Sequence, residues 1–377
     1  MERARHSRGG ALAGVILLIT SCGGSSEDAS PPAAGAPSIP DPIAASCPAG
    51  LPTGDLAPGS SLAPSCDAAR VDLHPDIAYA PHADGLLDLL LPRDQDAPMP
   101  LVVWVHGGGW QSGSKNDRAQ ATRLVCRGFA LASIDYRLSS TAIFPAQIRD
   151  VKAAIRHLRA NAAMYGIDPR RIGVFGSSAG GHLAALAGVA QDVAEFEDAS
   201  LGNGGASSGV QAVVDWYGPT RLSDMDEQLL SQGCPAGSAH HDDSDSAESR
   251  LLGCTVGDPG CADRVRAADP STYADVTDPP HLILHGTEDC VSPAAQSEIY
   301  AEALSAAGAC AVHRSVPGAG HGGAPWMSPE VQDAVADFFD RALAPAQSGA
   351  LASFSTSTPG ASITKPATTS TGIVVSD

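Results

Sequence analysis

A serine flanked by small residues is the first feature of this 377-residue sequence that suggests chemistry. Residues 176–180 (GSSAG) match the pattern G-x-S-x-G and directly follow the apolar run 172–175, while a stretch rich in small residues, 181–187, comes next. In a sharp strand-to-helix turn the serine takes a strained backbone that bulky neighbours would block, and the helix N-terminus faces developing negative charge. We therefore predict that Ser178 is a nucleophile.

A second match to the same pattern lies at residues 205–209 (GASSG), around Ser207. It stands in a stretch rich in Gly and Ser that precedes an apolar run, and no helical pattern follows it. Because a nucleophile elbow requires the order strand, turn, helix, we interpret Ser207 as part of a loop.

Three consecutive glycines follow another apolar run. Residues 106–110 read HGGGW and come directly after the predicted strand 101–105. Glycines let backbone N–H groups approach a substrate carbonyl without obstruction by side chains. We predict that the N–H groups of Gly108, Gly109 and Ala179 form an oxyanion hole. A flexible glycine turn is the alternative; a phosphate loop would need the ending G-K-[ST], which is missing.

A serine nucleophile needs a base, and that base needs an acid to orient it. His321 lies in the Gly-rich stretch 317–323, after the last predicted strand, whereas most other histidines lie within helices, strands or motifs. A flexible loop at that point places an imidazole above the carboxyl edge of a sheet. His321 is therefore the predicted base.

The predicted acid is Asp289, because its loop directly follows the predicted strand 281–284. Glu288, one residue earlier, and Asp215, at the end of the preceding predicted strand, are its rivals. With Asp289 as the acid, nucleophile, acid and base follow one another along the chain in the order found in α/β-hydrolases.

Three aromatic residues stand beside these motifs in a chain that is only 5% aromatic: Trp110, Tyr217 and Trp326. We predict that they line the substrate pocket, with packing in the core as the alternative. The segment 240–245 (HHDDSD) is interpreted as a solvated acidic loop, since no ligand spacing in it fits a defined metal site. No metal and no cofactor are expected.

The elements that must position these residues alternate between strand and helix. The apolar runs that predict strands are 86–91, 101–105, 129–134, 171–175, 210–216, 281–284 and 311–316. Apolar residues at helical spacing predict an amphipathic helix from Ile148 to Ala162, ended by Gly166 and Pro169. Further helices are predicted at 294–306 and 329–343. This alternation predicts a mostly parallel sheet with helices on both faces, whose ligands bind at the carboxyl ends of the strands.

The combination of motifs resembles a known family. The segments that resemble the hormone-sensitive-lipase-like carboxylesterases of the α/β-hydrolase superfamily are 106–110, 135–139, 144–146 and 176–181. The segments that are similar to the bacterial bifunctional feruloyl and acetyl-xylan esterase (BD-FAE-like) group are 216–220, 249–253, 285–289 and 318–321. The resemblance covers about 75–344. It implies an α/β-hydrolase fold and metal-free hydrolysis of a carboxylic ester. It does not fix the substrate; acetyl or feruloyl groups on polysaccharide, or small esters, are the candidates.

Two other functions stay open at this point. An amidase or arylformamidase uses the same machinery, because His-Gly-Gly-x-Trp loops occur there too. A surface binding module on a catalytically dead hydrolase scaffold is the other, although such scaffolds usually lack a triad residue. The physiological ester and the oligomeric state do not follow from the sequence.

The ends of the chain indicate export and lipid anchoring. Residues 1–21 start with three arginines and continue with a short apolar stretch, 11–20, which is typical of a signal peptide. The residues before Cys22 resemble the bacterial lipoprotein processing box, so we predict lipidation at Cys22 and a place in the bacterial cell envelope, facing the periplasm or the exterior. An ordinary secretory peptide is the alternative.

The remaining chain divides by composition into three parts. Residues 22–67 are rich in Pro, Gly, Ser and Ala and are interpreted as a tether, and 345–377 as a disordered Ser/Thr-rich tail. The folded domain is predicted at 68–344, with an insertion at about 219–270.

The net charge of −19, from 23 basic and 42 acidic residues, argues against a nucleic-acid surface. No apolar stretch after residue 22 is long enough to span a bilayer, so contact with a membrane is expected only through the lipid at Cys22.

Of 9 cysteines, those other than Cys22 are even in number, which suits disulfides in an exported protein. Cys254 and Cys261 are the favoured pair, and a bridge between Cys47 and Cys66 would pin the tether. The spacing leaves the partners of the other cysteines open: Cys126, Cys234, Cys290 and Cys310.

Overall fold

Eight strands form one sheet in the computed structural model, which describes residues 47–64, 66–95 and 98–345. The strands are β1 (Val71–Ala78), β2 (Leu86–Pro92), β3 (Met99–Val105), β4 (Ala130–Ile134), β5 (Ile167–Ser177), β6 (Ala212–Trp216), β7 (His281–Gly286) and β8 (Ala311–Val316). Their order is β1-β2-β4-β3-β5-β6-β7-β8. β2 is antiparallel to β1 and β4, and all other neighbours are parallel.

The helices are α1 (Arg123–Cys126), α2 (Ala146–Ala160), α3 (Ala162–Tyr165), α4 (Ala179–Val189), α5 (Met225–Gln232), α6 (Ala247–Leu252), α7 (Ala262–Ala268), α8 (Ala295–Ala307) and α9 (Pro329–Ala342). They lie on both faces of the sheet. Along β3, Leu101 and Val103 pack in the cluster that includes α2 and α4, whereas Val102 and Trp104 pack in the cluster that includes α1 and α9. This alternation is the period-2 pattern of a strand that is covered on both sides.

The sequence pattern does not predict strand β1. Most of its residues are exposed or half-buried, it contains Pro75, and its register against β2 shifts between His74 and Ile77. An edge strand of this kind lacks the apolar run that identifies a buried strand.

The second half of the segment interpreted as a tether packs against the domain. The Leu56 N–H donates to the Ser315 carbonyl of β8 (2.8 Å), and the Arg314 guanidinium donates to the Gly54 carbonyl (2.7 Å). Leu56 is buried in the cluster that includes α9. Folded structure therefore begins before residue 68, because this segment covers the open edge of β8.

The predicted bridge between Cys47 and Cys66 is wrong. Cys47 is bonded to Cys310 and Cys66 to Cys126, so each of these two cysteines is bonded to the domain instead of to the other. Linear spacing does not reveal this, because the segment crosses the sheet edge and brings residues 263 positions apart together.

Two further disulfides belong to the insertion. Cys254 is bonded to Cys261, the pair that the sequence favours, and Cys234 is bonded to Cys290, beside Asp289. The insertion contains α5, α6 and α7. The mostly parallel sheet, the helices on both faces and the disulfide-bearing insertion confirm the α/β-hydrolase fold. None of the helices in the described ranges is long and apolar enough to cross a membrane.

Candidate active site

Ser178 lies in the tight turn between β5 and α4, with φ 55° and ψ −126°. Its N–H donates to the Trp216 carbonyl at the end of β6 (2.8 Å). A Cβ at Gly176 would collide with the Gly180 carbonyl oxygen, and a Cβ at Gly180 would collide with the Val105 carbonyl oxygen. The small residues of the motif are therefore required by the close approach of β3, β5 and α4, which holds Ser178 above the sheet.

A chain of two hydrogen bonds joins the three residues predicted as nucleophile, base and acid. The Ser178 hydroxyl donates to Nε2 of His321 (2.8 Å), and Nδ1–H of His321 donates to Oδ2 of Asp289 (2.7 Å). Asp289 follows β7 and is fully buried, while the His321 side chain keeps 18% of its surface exposed. This arrangement lets His321 remove the hydroxyl proton of Ser178.

The Asp289 carboxylate is held in its charged form. Burial raises the pKa of Asp289, but hydrogen bonds and charges from His285 and His321 outweigh that effect and hold the pKa well below its usual range. Its other oxygen, Oδ1, accepts the backbone N–H groups of Val291 (2.8 Å) and Ser292 (3.0 Å). Asp289 is therefore ionised at neutral pH and fixed in direction, as the orienting acid must be.

The N–H groups of the predicted oxyanion hole have no acceptor within the described part of the chain. Gly108 and Gly109 have φ of 112° and 58°, and Ala179 is the first residue of α4. A Cβ at Gly108 would collide with the Ser112 carbonyl. Three free N–H donors, one of them at a helix N-terminus, thus lie in the motifs around Ser178 and can stabilise an oxyanion.

The structure does not bring the rival residues to His321. Glu288 is exposed. Asp215 is fully buried and accepts the Gly218 N–H (2.9 Å), and burial raises its pKa to about 6. Ser207 lies in a loop where its hydroxyl accepts the Gly209 N–H (3.0 Å).

A cavity of about 840 Å³ opens beside Ser178 and His321. Trp110 and Tyr217 line it, and the Tyr217 ring centroid lies 4.7 Å from that of His321. Trp326 does not line the cavity, against our prediction: it packs behind Tyr217 (4.4 Å between centroids), and its Nε1–H donates to the Gly320 carbonyl (3.0 Å). Trp326 supports the wall instead of forming its surface.

Sequence reasoning missed one wall of the cavity. The segment interpreted as a solvated acidic loop contributes His240, His241 and Asp245 to the lining, and Glu248 follows on α6. His241 is only 8% exposed, so the interpretation is wrong at this residue. Composition suggests solvent exposure, whereas the fold of the insertion turns this face inward.

These histidines and acids of the cavity wall do not come together as a metal site. Among the residues that the structure describes, no group of three or more His, Cys, Asp or Glu side chains could hold a metal ion.

The family to which these motifs point has a model that covers most of the domain. The BD-FAE family model matches residues 87–304, which contain the β-sheet core, Ser178 and Asp289. The chain belongs to the BD-FAE family. This confirms the family predicted from the motifs.

Relatives of this BD-FAE chain include esterases of known sequence and structure. The Mycobacterium tuberculosis esterase LipC is 34% identical over 65% of this chain and 59% of its own length. A truncated carbohydrate esterase from gut microbiota is 33% identical, with a TM-score of 0.67 over 74% of this chain and 99% of its own. A bifunctional GH43-CE protein of Bacteroides eggerthii is 35% identical, with a TM-score of 0.64 over 72% of this chain and 38% of its own. The chain spans about three fifths of the length of the curated esterases it matches first.

Proposed function

We propose that this protein is a serine carboxylic ester hydrolase. The observation that carries the proposal is the unbroken hydrogen-bond chain from Ser178 through His321 to Asp289, facing a cavity with free N–H donors. Family membership and the esterase relatives support the same reaction class.

The reaction runs through an acyl-enzyme. Ser178 Oγ attacks the ester carbonyl while His321 Nε2 takes its proton, and Asp289 stabilises the imidazolium. The N–H groups of Gly108, Gly109 and Ala179 donate to the oxyanion. His321 then protonates the leaving alcohol as the carbon–oxygen bond to it breaks. A water molecule, deprotonated by His321, attacks the acyl-enzyme. The bond between the acyl carbon and Oγ of Ser178 then breaks as His321 returns the proton to Oγ, and the acid and free Ser178 result.

We propose acetyl or feruloyl esters on polysaccharide, or small esters of the same kind, as substrates. One structural relative is named as a carbohydrate esterase, and another is named as a bifunctional GH43-CE protein. A cavity of about 840 Å³ has room for a feruloyl group or a sugar unit.

The test compares the purified full chain with its Ser178→Ala variant in the hydrolysis of p-nitrophenyl esters, methyl ferulate, acetylated xylan and an N-formyl aryl amide. We expect activity on at least one ester and a loss of about 10⁶-fold in Ser178→Ala. Ser207→Ala is the matched control, because it removes the same group from the second G-x-S-x-G match, and it should keep full activity. Wild-type activity in Ser178→Ala, or cleavage of N-formyl aryl amides alone, would contradict the proposal.

We also propose that the protein is anchored in the bacterial cell envelope by a lipid on Cys22. The sequence supports this: a signal-like segment, 1–21, precedes Cys22, which lies outside the described residues. In a bacterial host, the wild type should sediment with membranes and incorporate labelled palmitate, and Cys22→Ser should do neither. Equal membrane association of both proteins would contradict lipid anchoring.

A further inference from the structure

Glu248 lies next to the oxyanion loop. It is the second residue of α6, a helix whose N-terminus is capped by Ser246, which accepts the Ser249 N–H (3.0 Å). The preceding residue, Ala247, packs on the oxyanion loop: a Cβ placed on Gly109 would lie 3.4 Å from its Cβ. Glu248 lines the same cavity as Ser178. A group on a substrate held at Ser178 can therefore come within reach of Glu248.

A histidine fixes this carboxylate. Nδ1 of His241 lies 3.0 Å from Oε1 of Glu248, and the two side chains are 10% and 5% exposed. The backbone N–H of His241 donates to the Asp226 carboxylate of α5 (2.9 Å). Burial lowers the pKa of His241, but Glu248 and Asp226 raise it by more, so the pKa lies above its usual value. The pair is thus a preorganised element of the cavity wall.

The wall also presents unpaired polar atoms. Oε2 of Glu248, Nε1 of Trp110 and Oγ of Ser292 are each buried without a hydrogen-bond partner in the described structure, and all three residues line the cavity. A buried polar atom without a partner destabilises the protein, and a ligand that supplies the partner removes that cost. Of these atoms, Oε2 of Glu248 accepts a hydrogen bond, Nε1–H of Trp110 donates one, and the Ser292 hydroxyl can do both.

We propose that Glu248, held by His241, is a binding site for a free hydroxyl group of the substrate, separate from the ester itself. The inference rests on the proposed ester hydrolysis. A hydroxyl donates to Oε2 of Glu248, the oxygen of this carboxylate that has no partner in the described structure. Among the residues that the structure describes, the cavity lining includes Asp117, Asp245 and Glu248 but neither Lys nor Arg, so a carboxylate on the substrate is repelled.

Hydroxyl groups occur on both sides of the proposed ester substrates: the phenol of a feruloyl group and the sugar hydroxyls of an acetylated polysaccharide. Substrate pairs that differ only in this group distinguish the two sources. Methyl ferulate against methyl 3,4-dimethoxycinnamate tests the acyl side. A methyl 2-O-acetyl xyloside against its 3,4-di-O-methyl ether tests the alcohol side.

The measured quantity is the ratio of kcat/KM within each pair. We expect the wild type to prefer the free hydroxyl by about tenfold or more in one pair, chiefly through KM, as a hydrogen bond to a charged group provides. Glu248→Gln should bring that ratio close to one. Glu227→Gln removes an equal charge from an exposed position on α5 and should leave the ratio unchanged.

Three results would overturn the inference. The first is that the wild type shows no preference for the free hydroxyl in either pair. This measurement does not depend on whether a variant folds. The second is a folded Glu248→Gln that keeps the wild-type ratio. The third is a Glu248→Gln that loses both members of a pair equally, which would mean that the ion pair only stabilises the insertion. If the wild type hydrolyses no ester at all, the proposed function itself is wrong and the inference fails with it.

Discussion

Asp289→Asn should reduce kcat by about 10⁴-fold while leaving the fold intact. The reason lies in the two oxygens of Asp289. Oδ1 accepts N–H groups from Val291 and Ser292, so an asparagine keeps its carbonyl oxygen there and turns its NH₂ group toward Nδ1 of His321. Nδ1 must then accept, and the imidazole proton moves to Nε2, where it faces Ser178. A flipped amide would restore the correct tautomer but would lose both backbone bonds, at about 1 kcal/mol each.

The assay is steady-state hydrolysis of p-nitrophenyl acetate at neutral pH, with the melting temperature as the measure of folding. Glu288→Gln is the matched control, because it removes a carboxylate one residue away that is exposed, and it should keep wild-type kcat. The reasoning is refuted if folded Asp289→Asn stays within about tenfold of the wild type, or if Glu288→Gln loses as much.

Two further substitutions test the packing around the site. Gly180→Ala should abolish activity and lower the melting temperature, because the new Cβ would collide with the Val105 carbonyl. Gly205→Ala is the control: its Cβ enters open space, so neither activity nor melting temperature should change. Equal melting temperatures for the two variants would argue against close packing in the turn around Ser178. Asp215→Asn should gain stability relative to the wild type as pH rises. Burial raises the pKa of Asp215 in the folded protein to about 6. The free energy of unfolding of the wild type therefore falls as pH rises from the ordinary pKa of an aspartate to about 6, because the unfolded state ionises first, and the asparagine of the variant has no charge to bury. Urea unfolding at pH 4 and pH 7 should show a change of about 2 kcal/mol in the difference between the two proteins, and a difference independent of pH would contradict this account.

Local chemistry allows much of the site to be predicted. The residues of the turn around Ser178 are predictable, because a side chain at either glycine would collide with nearby backbone. At Gly176 it would meet the Gly180 carbonyl, and at Gly180 the Val105 carbonyl of the adjacent strand. His321 and Asp289 are predictable because parallel strands place the loops after them at one edge of the sheet. The choice of Asp289 over Glu288 relies only on position, and the structure gives the physical reason: one side chain is buried against His321 and the other is exposed.

Long-range packing accounts for what sequence reasoning missed. Trp326 stands beside a site motif in the chain, yet it lies behind Tyr217, because the neighbour of a motif in sequence can face the core. The acidic composition around His241 suggests solvent, but the insertion folds this residue onto Glu248 and into the cavity wall.

The sequence by itself determined the strand–helix alternation, the elbow at Ser178, the glycine loop and the family, since all of these depend on residues close together in the chain or on strand ends. Only the tertiary structure decided which distant surfaces meet. The 47–64 segment is attached by the disulfide between Cys47 and Cys310 and by the hydrogen bond from Leu56 to Ser315 of β8. This attachment and the wall that the insertion contributes to the cavity depend on contacts between residues far apart in the chain, which no local pattern encodes. Chemistry at the carboxyl edge is therefore readable from sequence, while the shape of the pocket that selects the substrate is a property of the whole fold.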